Sequence, residues 1–171
     1  MNNNCVIRNA TEKDYEYILR INEENVEVLS PMNAEKLHYF ADVAEHIWIA
    51  ELDGRPAAFM LTLREGVSDY GSENYRWFSQ HYANFIYVDR IVVDGFARGQ
   101  GVGRLLYEKL FEDAKKKKIP VVLAEIDTFP YNETSLGFHK EMGFSEVGTQ
   151  TVRQGKVEVS LQERKIEEKI I

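Results

Sequence analysis

The chain has 171 residues, of which 44% are hydrophobic and 29% charged, a composition typical of one globular domain. Its 28 acidic residues outnumber 21 basic ones, and the resulting net charge of −7 argues against non-specific nucleic-acid binding. The single cysteine, Cys5, excludes an internal disulfide and a cysteine-rich zinc site.

The N-terminus is polar, whereas a signal peptide requires an apolar core. The longest apolar stretch, Phe85–Val93, contains two charged residues and is far shorter than a bilayer requires. We therefore expect a cytoplasmic protein that does not interact with a membrane.

The first half of the chain predicts antiparallel strands and two short helices. A strand is expected over Cys5–Asn9, followed by a helix that begins near Thr11 and a second helix after Pro31. Two further strand patterns, His46–Leu52 and Ala57–Arg64, are separated by Asp-Gly, which is a strong hairpin signal.

The segment Glu65–Ala83 is polar and aromatic without a clear period, which predicts a loop. The aromatic side chains of this loop either pack into the core or line a ligand cleft. Both interpretations stay open at the level of sequence.

The second half predicts a parallel crossover. A strand over Asn84–Val93 is followed by a glycine-rich loop, a helix from about Gly103 to Lys117 and an apolar strand at Val121–Ile126. A short helix and a final hairpin complete the pattern, at 132–142, 144–152 and 156–162. The fold class is α/β, as a single domain over 5–163 with a charged tail at 164–171.

The glycine-rich loop carries the clearest chemical signal. Gly99, Gly101 and Gly103 allow tight turns and expose backbone amides immediately before a helix, where free N–H groups and the helix dipole favour an anion. Arg98 and Arg104 flank the loop. Between residues 98 and 118, seven basic and three acidic residues give a local charge of +4, which predicts a phosphate-bearing ligand.

Two other phosphate loops fit less well. A P-loop requires Gly-Lys-Ser/Thr, but Gly103 is followed by Arg104 and Leu105. A dinucleotide loop requires glycine at the position of Arg104. Glu125 lies about 20 residues further on, as that fold expects, yet the remaining chain has no second mononucleotide half.

Two motifs in order resemble the GNAT superfamily of N-acetyltransferases. The pattern V-x-x-x-x-R-G-x-G-x-G of its acetyl-coenzyme A loop is fitted by Val93, Arg98, Gly99, Gly101 and Gly103. A second family signature is matched at Asn132, Ser135, Phe138, Gly143 and Phe144. The resemblance implies a mixed, mostly antiparallel sheet with helices on both faces, and acetyl-CoA as the acyl donor.

The resemblance also implies which residues hold the coenzyme. Backbone groups of strand 91–93 would pair with the pantetheine arm, the loop amides would bind the pyrophosphate, and the second motif would form the far wall. The residues concerned are Ile91, Val92, Val93, Arg98, Gly99, Gln100, Gly101, Val102, Gly103, Arg104, Asn132, Ser135, Phe138 and His139.

Three residues are candidates for the chemistry of acetyl transfer. His139 stands where the family usually has a tyrosine, the usual candidate acid for the departing thiolate; histidine either protonates the thiolate or only packs on its helix. Asp89 is either a base or a surface or salt-bridged carboxylate, with Arg90 as a candidate partner. Tyr87 occupies a position where the family often has a glutamate. The Val93 amide is the natural oxyanion donor.

The acceptor is predicted to be the primary amine of a small molecule or an amino acid. Family acceptor sites are built from segments that contribute Asn25, Asn74, Tyr75, Trp77 and Phe78. The alternatives are a degenerate coenzyme A-binding or interaction domain, and a peptide N-terminal acetylase. No metal is expected, because His38, His46 and His81 lack metal-like spacing, and the protein is expected to be a monomer or a homodimer.

Overall fold

The computed structural model describes residues 4–27, 29–129 and 132–167. The helices in these ranges are α1 Tyr15–Glu24, α2 Ala34–Val43, α3 Glu73–His81, α4 Val102–Lys116 and α5 Glu133–Glu141. The strands are β1 Cys5–Asn9, β2 His46–Leu52, β3 Arg55–Arg64, β4 Ile86–Val93, β5 Val121–Phe129, β6 Ser145–Val152 and β7 Val157–Lys165.

The seven strands form a mixed sheet in the order β1-β2-β3-β4-β5-β7-β6. β4 and β5 are parallel, with Ile86 opposite Val122 and Tyr87 opposite Leu123. The strand pairs β1–β2, β2–β3, β5–β7 and β6–β7 are antiparallel. The predicted α/β class, with an antiparallel front half and one parallel crossover, is therefore confirmed.

The chain divides into two compact units. The first lies within Met1–Leu63 and Val88–Lys109. Its hairpin turns at Asp53 and Gly54, whose φ angles of 50° and 81° are those that a two-residue hairpin of type I′ requires. The buried apolar side chains of this unit include Ile18, Ile21, Leu37, Phe40, Ile49, Phe59 and Val92.

The second unit lies within Arg64–Tyr87 and Leu110–Ile171. Its buried apolar side chains include Tyr75, Phe78, Phe85, Tyr87, Leu123 and Leu161. The predicted parallel pairing of β4 and β5 falls inside this unit. The single-domain boundary at 5–163 stays a prediction; β7 continues to Lys165, and residues 168–171 of the predicted tail lie outside the described residues.

The prediction of a loop throughout 65–83 is wrong, because α3 occupies Glu73–His81. The Ser72 side chain caps this helix by accepting a hydrogen bond from the Tyr75 amide at 3.2 Å. Only Tyr75 and Phe78 are buried on it. Two buried positions three residues apart are too few to produce a helical period in the sequence.

Among the described residues, no helix combines the length and the apolar character that crossing a membrane demands.

Candidate functional site

The glycine-rich loop is exposed and ends at the start of α4. Gly99 and Gly101 have φ angles of 77° and 79°, a left-handed conformation that side-chain-bearing residues adopt at a cost. The Leu105 amide donates to the Gly101 carbonyl at 3.1 Å, which is the first turn of the helix. The amides before it belong to the helix end that has no intrahelical acceptors. This geometry can bind an anion through the backbone.

The start of the loop is anchored to α1 and to the residue that follows this helix. Asp94, which is buried, accepts a hydrogen bond from the Tyr17 hydroxyl at 3.1 Å, and its amide donates to the Ala57 carbonyl at 2.8 Å. Burial, with the nearby Asp94 carboxylate, raises the pKa of Tyr17, so its hydroxyl keeps the donated proton. Arg98 donates to the Asn25 side-chain oxygen at 2.8 Å. Asn25, which is predicted to line the site of the amine substrate, therefore accepts a hydrogen bond from an arginine of the loop.

Asp89 forms a buried ion pair with Arg90. The Arg90 Nε lies 2.7 Å from an Asp89 carboxylate oxygen, and the two side chains are only 2% and 3% exposed. Arg90 also donates to the Asn22 side-chain oxygen at 2.9 Å and to the Ser30 hydroxyl at 2.9 Å. A buried arginine with several charge-assisted hydrogen bonds fixes the residues around it. Asp89 is therefore a salt-bridged carboxylate in the structure. Its role as a base stays a prediction.

The other predicted residues of β4 alternate along the strand. Val92 is buried, whereas Ile91 and Val93 are partly exposed on the face that they share with Asp89. The Asp94 amide that follows is bonded to β3. The oxyanion role of the Val93 amide stays a prediction.

His139 is a buried residue of α5, with only 4% of its surface exposed. Its Nδ1 lies 2.8 Å from the Ser135 carbonyl oxygen, which can only accept, so Nδ1 carries the proton of the neutral ring. Burial lowers the pKa of His139. Its ring contacts Phe138 and Phe144 edge-on, at centroid distances of 5.4 and 5.2 Å. The ring is therefore neutral at pH 7, and its proton is directed at a backbone carbonyl.

The second motif is built around the start of α5. The Asn132 side chain caps the helix by accepting from the Ser135 amide at 3.4 Å. Ser135 and Phe138 are partly exposed. Gly143 follows the helix with a φ of 91°, the C-terminal position at which glycine is favoured.

Of the four α3 residues predicted to line the site of the amine substrate, two are buried and two are partly exposed. Tyr75 and Phe78 are buried, and the Tyr75 hydroxyl donates to the Arg64 carbonyl at 2.7 Å. Asn74 accepts a hydrogen bond from the Gln150 side chain at 3.1 Å, which fastens α3 to β6. Burial and these two hydrogen bonds give the three residues structural roles in the second unit.

Trp77 is the fourth of these residues, and its ring packs against Gly148 of β6. A Cβ atom added to Gly148 would come within 2.7 Å of the Trp77 ring, so only glycine admits the indole at this distance. The His81 ring also stacks on Trp77, at a centroid distance of 3.8 Å. Trp77 thus attaches α3 to β6.

The structure brings together one pair that sequence reasoning missed. The Tyr87 hydroxyl donates to a Glu125 carboxylate oxygen at 2.7 Å. Tyr87 is 1% exposed, whereas Glu125 is partly exposed. A signal was present, because Glu125 is the only charged residue in the otherwise apolar segment 121–126. Its partner could not be identified without the parallel register of β4 and β5.

Comparison with known proteins identifies the chain's relatives. The model of the family described as "Acetyltransferase (GNAT) family" matches residues 9–144. No curated protein matches the chain.

Solved structures share the fold at low sequence identity. Ard1 from Thermoplasma volcanium is 16% identical with a TM-score of 0.77, covering 96% of this chain and 99% of that chain. The ribosomal-protein-S18-alanine N-acetyltransferase from Escherichia coli is 16% identical with a TM-score of 0.70, covering 98% and 99%. The protein yncA from Salmonella typhimurium, solved with its cofactor acetyl-CoA, is 18% identical with a TM-score of 0.68, covering 98% and 97%.

Proposed function

The chain belongs to the acetyltransferase (GNAT) family, and from this membership we propose that it transfers an acetyl group from acetyl-CoA to the primary amine of a small molecule or an amino acid. The observation that carries the proposal is the exposed loop at the start of α4, with its two left-handed glycines. Such a loop presents backbone amides to an anion without side chains in the way.

The residues of the loop fit the pyrophosphate of coenzyme A. A Cβ at Gly99 or Gly101 would meet no atom within 4 Å, so the space beside the loop is open. Arg98 and Arg104 are exposed there and add positive charge within a chain that is acidic overall. The hydrogen bond from Arg98 to Asn25 holds one of these guanidinium groups in place. The loop thus offers both amide donors and charge to a diphosphate.

The other coenzyme contacts are proposed for β4 and α5. Backbone groups of Ile91, Val92 and Val93 would pair with the pantetheine arm, with the Val93 amide donating to the carbonyl oxygen as it gains charge. Asn132, Ser135 and Phe138 would line the far wall. Bound acetyl-CoA supplies an acetyl thioester, whose sulfur is the leaving group.

The acceptor proposal rests on the composition of α3 and its surroundings. Aromatic rings and amides on this helix suit a small amine better than a highly charged protein tail. Because Tyr75 and Phe78 are buried and Asn74 is bonded to β6, these residues would shape the acceptor site from behind. Among the predicted residues of α3, Trp77 is partly exposed and could contact an acceptor directly.

The proposal is tested in two steps with the full chain. Isothermal titration calorimetry with coenzyme A should give saturable binding, and acetyl-CoA should then release free thiol in the presence of a panel of alkylamines, amino acids and short peptides. Absence of binding at millimolar coenzyme A would contradict the family role of the loop. Binding without thiol release on any amine would instead identify a coenzyme-binding protein without transferase activity, and release on peptides alone would identify an N-terminal acetylase.

A further inference from the structure

Three strands of the second unit place Asp127 and Gln150 on one face of the sheet. Asp127 of β5 lies opposite Val159 of β7, and Val159 lies opposite Gln150 of β6. Because directly opposite residues of antiparallel strands share a face, the three side chains lie on the same side of the sheet. The Gln150 side chain donates to Asn74 of α3 at 3.1 Å, so α3 packs on this face as well.

Arg153 begins the turn that follows β6, and the turn is fastened to α3. The Arg153 amide donates to a Glu73 carboxylate oxygen at 3.3 Å, and Glu73 is the first residue of α3. The turn is closed by a hydrogen bond from the Lys156 amide to the Arg153 carbonyl at 3.2 Å. Arg153 has a φ of 52°, a left-handed conformation that costs energy when a side chain is present. The exposed Arg153 side chain therefore starts from a backbone that is held in place.

The Asp127 carboxylate is accessible and has room for a ligand. Within the described ranges it forms no hydrogen bond and no ion pair, and the same holds for the Arg153 guanidinium. Asp127 is partly exposed, and its oxygens are not among the buried ones that lack a hydrogen bond, so they reach solvent. All acceptor positions of the carboxylate and all five N–H donors of the guanidinium are therefore available.

The two charged groups lie near each other without touching. Burial raises the pKa of Asp127, and the positive charge of Arg153 acts against this rise, so the two charges interact through space. Two strand spacings of about 4.8 Å separate β5 from β6, and three residues at about 3.3 Å each lead from Gln150 to Arg153, so the Cα atoms of Asp127 and Arg153 lie on the order of 14 Å apart. The two side chains cover part of this distance and leave a gap between their charged ends.

A carboxylate and a guanidinium on either side of a gap match the two charged groups of a free α-amino acid. At pH 7 the amino acid carries an ammonium group and a carboxylate on the same carbon atom. The ammonium donates to a carboxylate such as that of Asp127, and the planar guanidinium of Arg153 can donate two parallel hydrogen bonds to the other end. A simple amine offers only one of these charges, and in a peptide the two belong to different residues.

We propose that Asp127 and Arg153 bind a free α-amino acid, with its ammonium group on Asp127 and its carboxylate on Arg153; the role of this amino acid as acetyl acceptor rests on the proposed function. Both residues belong to the second unit, as do Gln150 and Asn74, which hold α3 beside them. The proposal narrows the acceptor from primary amines in general to free amino acids, and it makes Asp127 and Arg153 residues that determine specificity.

Calorimetry on the full chain, with and without coenzyme A, tests the site with the standard L-amino acids at millimolar concentration. The amino acid that binds best is compared with its α-amide, which lacks the negative charge, and with the matching α-hydroxy acid, which lacks the positive charge. The wild type should prefer the amino acid over each analogue by about tenfold or more, as for hydrogen bonds between charged groups. Arg153→Gln should abolish the preference over the amide, and Asp127→Asn the preference over the hydroxy acid. General damage to the fold would weaken all three ligands alike.

Lys156→Gln and Glu158→Gln are the matched controls, since both remove an exposed charge from the same hairpin, and both should keep the two preferences. The assignment is overturned if no amino acid binds, if either preference survives its substitution, or if a control variant loses the preferences too.

Thiol release from acetyl-CoA separates this inference from the proposed function. Release with simple amines, in a protein that binds no amino acid, refutes the inference alone. Amino acid binding with the expected preferences, but without release on any amine, supports the binding site and refutes the proposed function.

Discussion

Replacing His139 with phenylalanine separates a chemical role of this residue from a packing role. Phenylalanine keeps a flat ring between Phe138 and Phe144 but removes both ring nitrogens. The neutral His139 ring has its proton on Nδ1, bonded to the Ser135 carbonyl at 2.8 Å. Because this proton is bonded to a backbone carbonyl, the ring does not offer it to the departing thiolate at pH 7. We therefore expect His139→Phe to transfer acetyl at a rate within a few-fold of wild type.

The structural effect should instead appear in the free energy of unfolding. Loss of the hydrogen bond to Ser135 should cost about 0.5–1.5 kcal/mol. His139→Ala also leaves a cavity among buried aromatic rings, so its cost should approach the range of about 3–5 kcal/mol seen for aromatic-to-alanine changes.

The sign of the pH dependence follows from the lowered pKa of His139. The unfolded chain binds a proton at this histidine below about pH 6.5, whereas the folded chain does so only at lower pH. The contribution of His139 to the free energy of unfolding is therefore fully present above about pH 6.5. It is lost as the pH falls toward the pKa of this histidine in the folded protein. The stability difference between wild type and His139→Phe should shrink over this interval, and the remaining histidines cancel because both proteins contain them.

Single-turnover transfer and urea unfolding together test this reasoning. Product release cannot hide the chemical step in a single turnover. A fall of about 10²–10⁴-fold in His139→Phe, with coenzyme A binding unchanged and recovery in His139→Tyr, would show that His139 supplies the proton of the leaving thiol. An unchanged stability difference between pH 7.5 and 5.5 would refute the argument from burial.

Two further predictions concern glycines. Gly148→Ala should destabilise the protein by about 1–3 kcal/mol in urea unfolding, since its Cβ would lie 2.7 Å from the Trp77 ring. The control, Gly137→Ala, lies in open space inside α5 and should stabilise the protein by about 0.5–1 kcal/mol. Equal effects of the two substitutions would disprove the contact between Gly148 and Trp77. Gly101→Val, at a φ of 79°, should weaken coenzyme A binding by about tenfold or more in calorimetry, because the loop must leave its left-handed conformation. The nearby Gly95→Ala, which has no positive φ and open space around it, should bind normally, and comparable losses would show that loop conformation is not the cause.

Local chemistry explains what the sequence by itself determined. The turn at Asp53 and Gly54, the loop at 98–104 and the crossover from β4 through α4 to β5 all depend on residues close together in the chain. Glycines with positive φ and apolar residues at regular spacing impose these structures wherever they occur. The glycine-rich loop could therefore be predicted with its residues, and together with the second motif it carried the family resemblance.

Only the tertiary structure decided the partners of the polar side chains. α3 escaped prediction because Tyr75 and Phe78 alone are buried on it. Asn25 accepts a hydrogen bond from Arg98, a residue 73 positions away. Glu125 acquires Tyr87 as a partner across 38 positions, through a strand register that no local pattern encodes. A hydrogen bond needs atoms within about 3 Å, and side-chain positions at that precision depend on how distant segments pack.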